Sequence, residues 1–138
     1  MTLPLSTYTK LMRAAESVTS RTSRPMSDAG LTISQFGVLE ALLHRGPLCQ
    51  KDIAAKILKS SGNITMVIDN LVKRCLVRRE RSETDRRFIT IHLTPEGSSL
   101  INEVFPQVSA AIVDNMAILS SEEQELLGQL CRRLGRQD

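Results

Sequence analysis

Residues 61–97 read SGNITMVIDNLVKRCLVRRERSETDRRFITIHLTPEG, and inside that stretch the hydrophobic period changes twice. At about 100° per residue, Ile64, Val67, Ile68, Leu71 and Cys75 fall on one side of a helix that runs to about Arg74. The other side presents Gly62, Asn63, Met66, Asp69, Asn70 and Lys73, with Thr65 at its edge. One side packs; the other is small, polar and reachable. Val77–Arg81 and residues 88–93 then alternate as strands, with Ile89, Ile91 and Leu93 on one face. The polar run at 82–87 between them makes the pair a β-hairpin with a basic tip. At Thr94-Pro95-Glu96-Gly97 a new helix opens, with Thr as cap, Pro where its missing N–H costs nothing, and Glu complementing the helix dipole. A helix with a polar face followed by a basic hairpin is the order of a recognition helix and a wing.

Working outward, Thr32-Ile33-Ser34-Gln35 has the form of a capping box, and Phe36, Leu39, Ala41, Leu42 and Leu43 follow it as far as Arg45-Gly46-Pro47. A short helix over residues 50–58 buries Ile53, Ala54 and Ile57, with Cys49 just outside its start. Ser60-Ser61-Gly62-Asn63 breaks and restarts the chain, because Ser and Asn accept hydrogen bonds from the first amides of a helix. Upstream, Tyr8, Leu11, Met12, Ala15, Val18 and Thr19 follow a helical period between residues 6 and 27, limited by Pro25 and Gly30. Downstream, the helix from Thr94 carries Leu100, Ile101, Val104, Phe105, Val108 and Ile112, with a kink expected at Pro106. Ser120 or Ser121 caps a last helix with Leu126, Leu127, Leu130 and Leu134. The fold class is mainly α with a small β-hairpin, a winged helix-turn-helix with N- and C-terminal dimerisation helices. Residues 1–138 are expected to form a single domain. Within it 32–94 make the DNA-binding lobe, and 1–30 and 95–138 a helical dimerisation region, because their apolar faces exceed what so small a core can cover.

A chain of 138 residues, 41% hydrophobic and 3% aromatic with no Trp, suits one aliphatic, helical core. A net charge of +3 does not by itself point to nucleic acid. Its distribution does: Lys73, Arg74, Arg78, Arg79, Arg81, Arg86 and Arg87 lie within one short stretch. No apolar run of about 18 residues is present, nor the basic-then-apolar opening of a secretory signal, so a cytoplasmic protein without membrane contact is expected. Cys49, Cys75 and Cys131 are odd in number and far apart, which gives neither a disulfide framework nor a zinc motif; no metal or cofactor is expected. His44 and His92 lie in no catalytic motif, and no Gly-rich phosphate loop occurs, so an enzyme is not expected. His44 reads as a contact to its own helix C-terminus, His92 as a surface residue. A winged helix can also serve as a protein-interaction module; the basic hairpin, which such a surface does not require, argues against it.

The string at 61–97, with LTISQFGVLEALLHRGPLCQKDIAAKI at 31–57 and the terminal helices, resembles the multiple antibiotic resistance regulator (MarR) family over nearly the whole chain. The specific elements are Asp85-Arg86-Arg87 in the hairpin and Leu93-Thr94-Pro95-Glu96-Gly97 after it. The resemblance implies a homodimeric transcription regulator, a repressor that binds a pseudo-palindromic duplex operator and is released by a small aromatic or phenolic effector or by oxidation. It places Arg87 in the minor groove, with Asp85 steadying it beside Arg86, and turns Ser61, Asn63, Thr65, Met66, Asn70 and Lys73 toward DNA. Short donors and acceptors suit phosphates and base edges, and an Arg on a hairpin tip suits the negative potential of a narrow minor groove. Plainer roles stand beside these: Ser61 and Asn63 as caps, Met66 as a surface residue, and Asp69 paired with Lys73 at i,i+4. Cys49 occupies the place of a helix cap. Because a helix N-terminus favours the oxidisable thiolate, it is a candidate redox sensor, with a buried small residue replacing a cap as the alternative. Cys75 and Cys131 read as packing residues.

Overall fold

The computed structural model describes residues 2–57 and 61–136, with the side chains of Ser61 and Gly62 outside the description. These residues form two compact units. One is Ser23–Val108; the other combines residues 2–22 with 109–136.

The Ser23–Val108 unit is the winged helix. It begins with α2 (Arg24–Asp28), then α3 (Ile33–Arg45), the short strand β1 (Leu48–Cys49), α4 (Gln50–Ile57) and α5 (Ser61–Lys73), the hairpin strands β2 (Val77–Arg81) and β3 (Ile89–Leu93), and the first part of α6 (Pro95–Met116). α3 starts with the expected capping box: the Gln35 amide donates to Thr32 Oγ1 at 3.1 Å and the Thr32 amide to Gln35 Oε1 at 3.0 Å. It stops at Gly46, whose positive φ of 77° few other residues would adopt. Leu39, Ile53, Ile64, Ile68, Leu71, Ile91 and Ile101 are fully buried together, so α3, α4, α5, the sheet and α6 share one aliphatic core. The second helix is expected to run to Leu58, which lies outside the described residues.

The sheet has three strands rather than the two expected, in the order β1-β3-β2, all antiparallel. β1 is two residues long, too short for alternation to show, and pairs Leu48 with Ile91 and Cys49 with Thr90. Cys49 is therefore half-buried in a strand as well as adjacent to α4. In the hairpin Val77, Arg79 and Arg81 face Leu93, Ile91 and Ile89, which fixes the wing's register.

Cys75 departs from its expected place on the buried stripe. It is exposed and left-handed, with φ of 61°. Its amide donates to the Val72 carbonyl at 2.9 Å and that of Leu76 to Leu71 at 3.0 Å, the pair of bonds by which a helix ends in a Schellman turn. That position normally takes Gly. An L-residue there is strained by about 1–2 kcal/mol, partly offset by the greater chain entropy lost by Gly, about 0.5–1 kcal/mol. Cys75→Gly is expected to raise the unfolding free energy by about 0.5–1 kcal/mol in a urea titration; a loss of stability would mean the side chain contributes packing there. The same turn is clamped from α6: Thr94 Oγ1 donates to the Cys75 carbonyl at 2.6 Å and accepts from the Gly97 amide at 3.0 Å, while the Thr94 amide donates to Leu76 O at 3.1 Å.

The second unit contains α1 (Leu3–Thr22), the end of α6 and α7 (Ser121–Gly135). The chain breaks between α1 and α2 at Ser23, with Pro25 in the first turn of α2, where one longer helix is expected from the sequence. α6 stays helical across Pro106. Ser120, not Ser121, caps α7, in a second capping box with Glu123. Glu123 is held below the usual carboxylate range by hydrogen bonds from the Ser120 amide and hydroxyl. Among the described residues of this unit only Thr22 is buried, while Leu5, Tyr8, Val113, Leu126 and Leu134 are more than half exposed. No described helix is long and apolar enough to cross a membrane.

Candidate nucleic-acid interface

α5 divides as its periodicity demands. Ile64, Ile68 and Leu71 are buried and Val67 is half-buried, which leaves Asn63, Thr65, Met66, Asp69, Asn70 and Lys73 exposed on the far side. Met66 stands 66% exposed. Asn63, Met66 and Asn70 share a shallow groove with Thr32, Ser34 and Gln35 from the start of α3. Ser61 opens α5, and its side chain lies outside the described residues.

Asp69 does not pair with Lys73. Its Oδ1 accepts from Arg79 Nη2 on β2 at 2.5 Å. The Arg79 side chain is 31% exposed, and a planar guanidinium reaching from a neighbouring strand is a better-ordered donor than a Lys on the same solvated helix face. Arg79 Nη2 also donates to Gln50 Oε1 at 3.4 Å, and Gln50 Nε2 donates to Thr65 Oγ1 at 3.2 Å. The chain Asp69–Arg79–Gln50–Thr65 thus ties α5 to β2 and to the start of α4. It neutralises the acidic group on the polar face of α5 and leaves Lys73 exposed. Gln50 and Arg79 are not legible from sequence as part of this face because their partners lie outside their own elements.

The hairpin tip is held in several places. Ser82 N–H donates to the Phe88 carbonyl at 2.9 Å, Phe88 N–H to the Asp85 carbonyl at 3.0 Å, and Asp85 N–H to Ser82 Oγ at 3.2 Å. Arg81 crosses beneath it to donate to the carbonyl of Arg86, whose side chain is exposed. On this frame Asp85 grips Arg87 twice: Nε donates to Oδ1 at 3.0 Å and Nη2 to Oδ2 at 2.8 Å, with the Arg87 amide adding a third bond to Oδ1 at 3.0 Å. Such fork-to-fork pairing fixes direction as well as distance. The Arg87 side chain is 86% exposed, so the cation is aimed outward rather than packed down. The Arg87 side chain and then its amide hold the Asp85 carboxyl below its ordinary 3.8, and Asp85 in turn raises Arg87. The clamp is therefore at full strength above the ordinary carboxylate range and weakens only as pH falls through the lowered value.

His44 lies in the last turn of α3, but its Nδ1 faces Glu40 one turn earlier, 3.1 Å from the carbonyl and 3.0 Å from Oε1, rather than the carbonyls of the helix end. Its ring meets Phe105 edge-on. His92 is less free than a surface residue: Nε2 lies 2.9 Å from both Thr90 Oγ1 and Glu80 Oε2, and Arg78 pairs with the same carboxylate. Both contacts meet one ring nitrogen, so the ring has no second nitrogen in line to relay a proton from the hydroxyl to the acid. Among the described residues no group of three or more His, Cys, Asp or Glu is placed to hold a metal.

The MarR family profile matches residues 29–87. The transcriptional regulator MhqR of Bacillus subtilis is 36% identical over 131 residues, covering 95% of this chain and 90% of its own. Among solved structures, BpsR of Bordetella bronchiseptica superposes with a TM-score of 0.84 at 26% identity, over 93% of this chain and 91% of its own; its DNA binding is regulated by 6-hydroxynicotinic acid. NadR, solved in complex with 4-hydroxyphenylacetate, gives 0.79 at 25% identity over 94% and 92%.

Proposed function

This chain belongs to the MarR family of DNA-binding transcription regulators, and from that premise we propose that it is a homodimeric repressor of a pseudo-palindromic duplex operator, released by a small aromatic acid. The observation that carries the DNA reading is the outward, doubly held Arg87 on a wing that shares one folded unit with the exposed polar face of α5. α5 fits a major groove through Asn63, Thr65, Met66, Asn70 and Lys73, with Ser61 at its start, and the wing carries Arg87 into the neighbouring minor groove. In this reading residues 32–94 bind DNA, while 1–30 and 95–138 join two protomers so that two wings and two helices meet half-sites about one helical turn apart. The hydroxylated aromatic acids of BpsR and NadR favour an effector of that chemistry over oxidation at Cys49.

The test is a salt titration with a duplex selected by the protein from a random pool, beside random duplex. Tight binding to the selected duplex, falling steeply with salt and relieved by a hydroxylated aromatic acid, is expected. No binding to either duplex at low salt would return the chain to the interaction-module reading.

Dimerisation through the terminal helices is supported by apolar residues that stay largely exposed in the protomer, among them Leu126 at 56% and Leu130 at 44% on α7. Leu130→Asp sets a carboxylate on that face and is expected to weaken the dimer about tenfold or more, since an uncompensated polar group at a closed surface costs about 1–3 kcal/mol. Sedimentation at a series of concentrations measures it; an unchanged association constant would move the interface elsewhere.

A further inference from the structure

We propose that Phe88 is a second DNA-contacting residue of the wing, packing its ring on the deoxyribose wall of the minor groove beside the place where Arg87 enters; this rests on the DNA-binding reading above. Phe88 is 58% exposed in a chain with few aromatic residues. Phe36 and Phe105 belong to the core or pack against it, as does the adjacent Ile89, but Phe88 does not. One exposed aromatic residue does not by itself call for a partner; what singles out Phe88 is its place on the wing and the charge of its neighbours. Arg87 and Arg86 precede it, both exposed, so the surroundings are cationic and suited to a phosphate-lined groove rather than to an apolar peptide.

The ring is also presented on a fixed backbone. Phe88 N–H and C=O are both engaged within the tip, by Asp85 and Ser82, and Arg87 is fixed through the same Asp85. The cation and the ring are therefore held by one frame and reach a duplex together. Minor-groove proteins use apolar side chains against sugars and base steps because the groove walls are the C–H faces of deoxyribose, where a charge gains little. The two neighbours act on different parts of the groove, Arg87 meeting the negative potential of the floor and Phe88 the apolar wall. The second contribution is burial of surface, so it does not depend on salt.

The test uses the full chain, a duplex selected by the wild-type protein from a random pool, and four variants: Phe88→Ala, Phe88→Leu, Phe88→Ser and Arg87→Ala. Phe88→Ala and Phe88→Ser are expected to bind about tenfold or more weakly, the equivalent of losing most of one buried aromatic side chain, with the slope of log affinity against log salt unchanged. Phe88→Leu is expected to keep most of the affinity, and Arg87→Ala to lower the slope. Hydroxyl-radical footprinting, which reads sugar C–H groups in the minor groove, is expected to show loss of protection at the flanking nucleotides for Phe88→Ala. Thermal melting is expected to stay unchanged for all four, since the ring is outside the core. If wild type binds, Arg87→Ala weakens it and Phe88→Ala does not, the role of Phe88 is wrong and the DNA reading stands. If Phe88→Ala instead alters sedimentation of the free protein with no effect on DNA, the ring belongs to a protein contact and the proposal fails. If wild type binds no duplex, both fail.

Discussion

Gly97→Ala is expected to destabilise the winged-helix unit by about 2–3 kcal/mol, although helix propensity alone predicts a gain of about 1 kcal/mol for the same change. Gly97 lies in the first turn of α6, where an added Cβ would sit 1.9 Å from the carbonyl oxygen and 2.8 Å from the carbonyl carbon of Leu76. Those are backbone atoms, and they cannot turn aside as a side chain would. Leu76 O is further held by the Thr94 amide at 3.1 Å, and the Cys75 carbonyl by the Thr94 hydroxyl. Relief therefore requires α6 to lift from the turn that joins α5 to the wing. Against a total stability of about 5–15 kcal/mol for a domain, that is a large fraction. A urea titration followed by circular dichroism reads it, with the midpoint expected to fall. An unchanged or raised midpoint would show that α6 does not approach the turn so closely. Cys75→Gly, on the other side of the same clamp, is expected to move the midpoint up, so the two variants together test one local geometry by opposite signs.

That clamp also shows what the sequence can and cannot reveal. Thr94 as a cap was legible because its partner, the Gly97 amide, is three residues away. The reason for Gly at 97 was not, because the atom it avoids belongs to Leu76, and only the packed chain brings the two together. The same division runs through the interface. Asp85 and Arg87 are two residues apart, so their pairing could be expected from the motif and is present. Asp69 has a charge-complementary neighbour in sequence, Lys73, yet pairs with Arg79 because the hairpin folds a better-ordered guanidinium onto the helix. The polar face of α5 followed from periodicity alone. β1 did not, since two residues carry no period, and it is the pairing of Leu48 with Ile91 that defines it. Cys75 fitted the apolar stripe by spacing, but the stripe ends at Leu71, where the helix begins to close, and the left-handed turn carries Cys75 outward.

The largest effect on binding is expected at the wing. Arg87→Ala is expected to weaken binding by about 1–3 kcal/mol per half-site, hence about 2–6 kcal/mol for a dimer, and to blunt any preference for A·T-rich flanks, because a narrow minor groove rewards a cation placed within it. Lys73→Ala removes a mobile charge suited to phosphate, and is expected to weaken all duplexes about equally while reducing the salt slope by about 1 per subunit. Asp85→Ala separates orientation from charge. Removing a carboxylate from a DNA-binding wing raises its positive potential, so a purely electrostatic wing would bind more tightly without it. The geometry argues the other way. Three hydrogen bonds from Arg87 end on Asp85, one from its backbone, so the variant frees both the guanidinium and the bend of the tip. An 86% exposed side chain that has lost its partner samples many rotamers, and ordering it again on DNA costs up to about 2 kcal/mol of side-chain entropy per half-site. Asp85→Ala is therefore expected to resemble a milder Arg87→Ala, and Asp85→Asn, which keeps one acceptor oxygen, to fall between it and wild type. Salt titrations of all four variants on a selected and a random duplex read these differences. Tighter binding by Asp85→Ala on both duplexes would mean that the carboxylate only dilutes positive charge, and that the orientation of Arg87 contributes nothing to recognition.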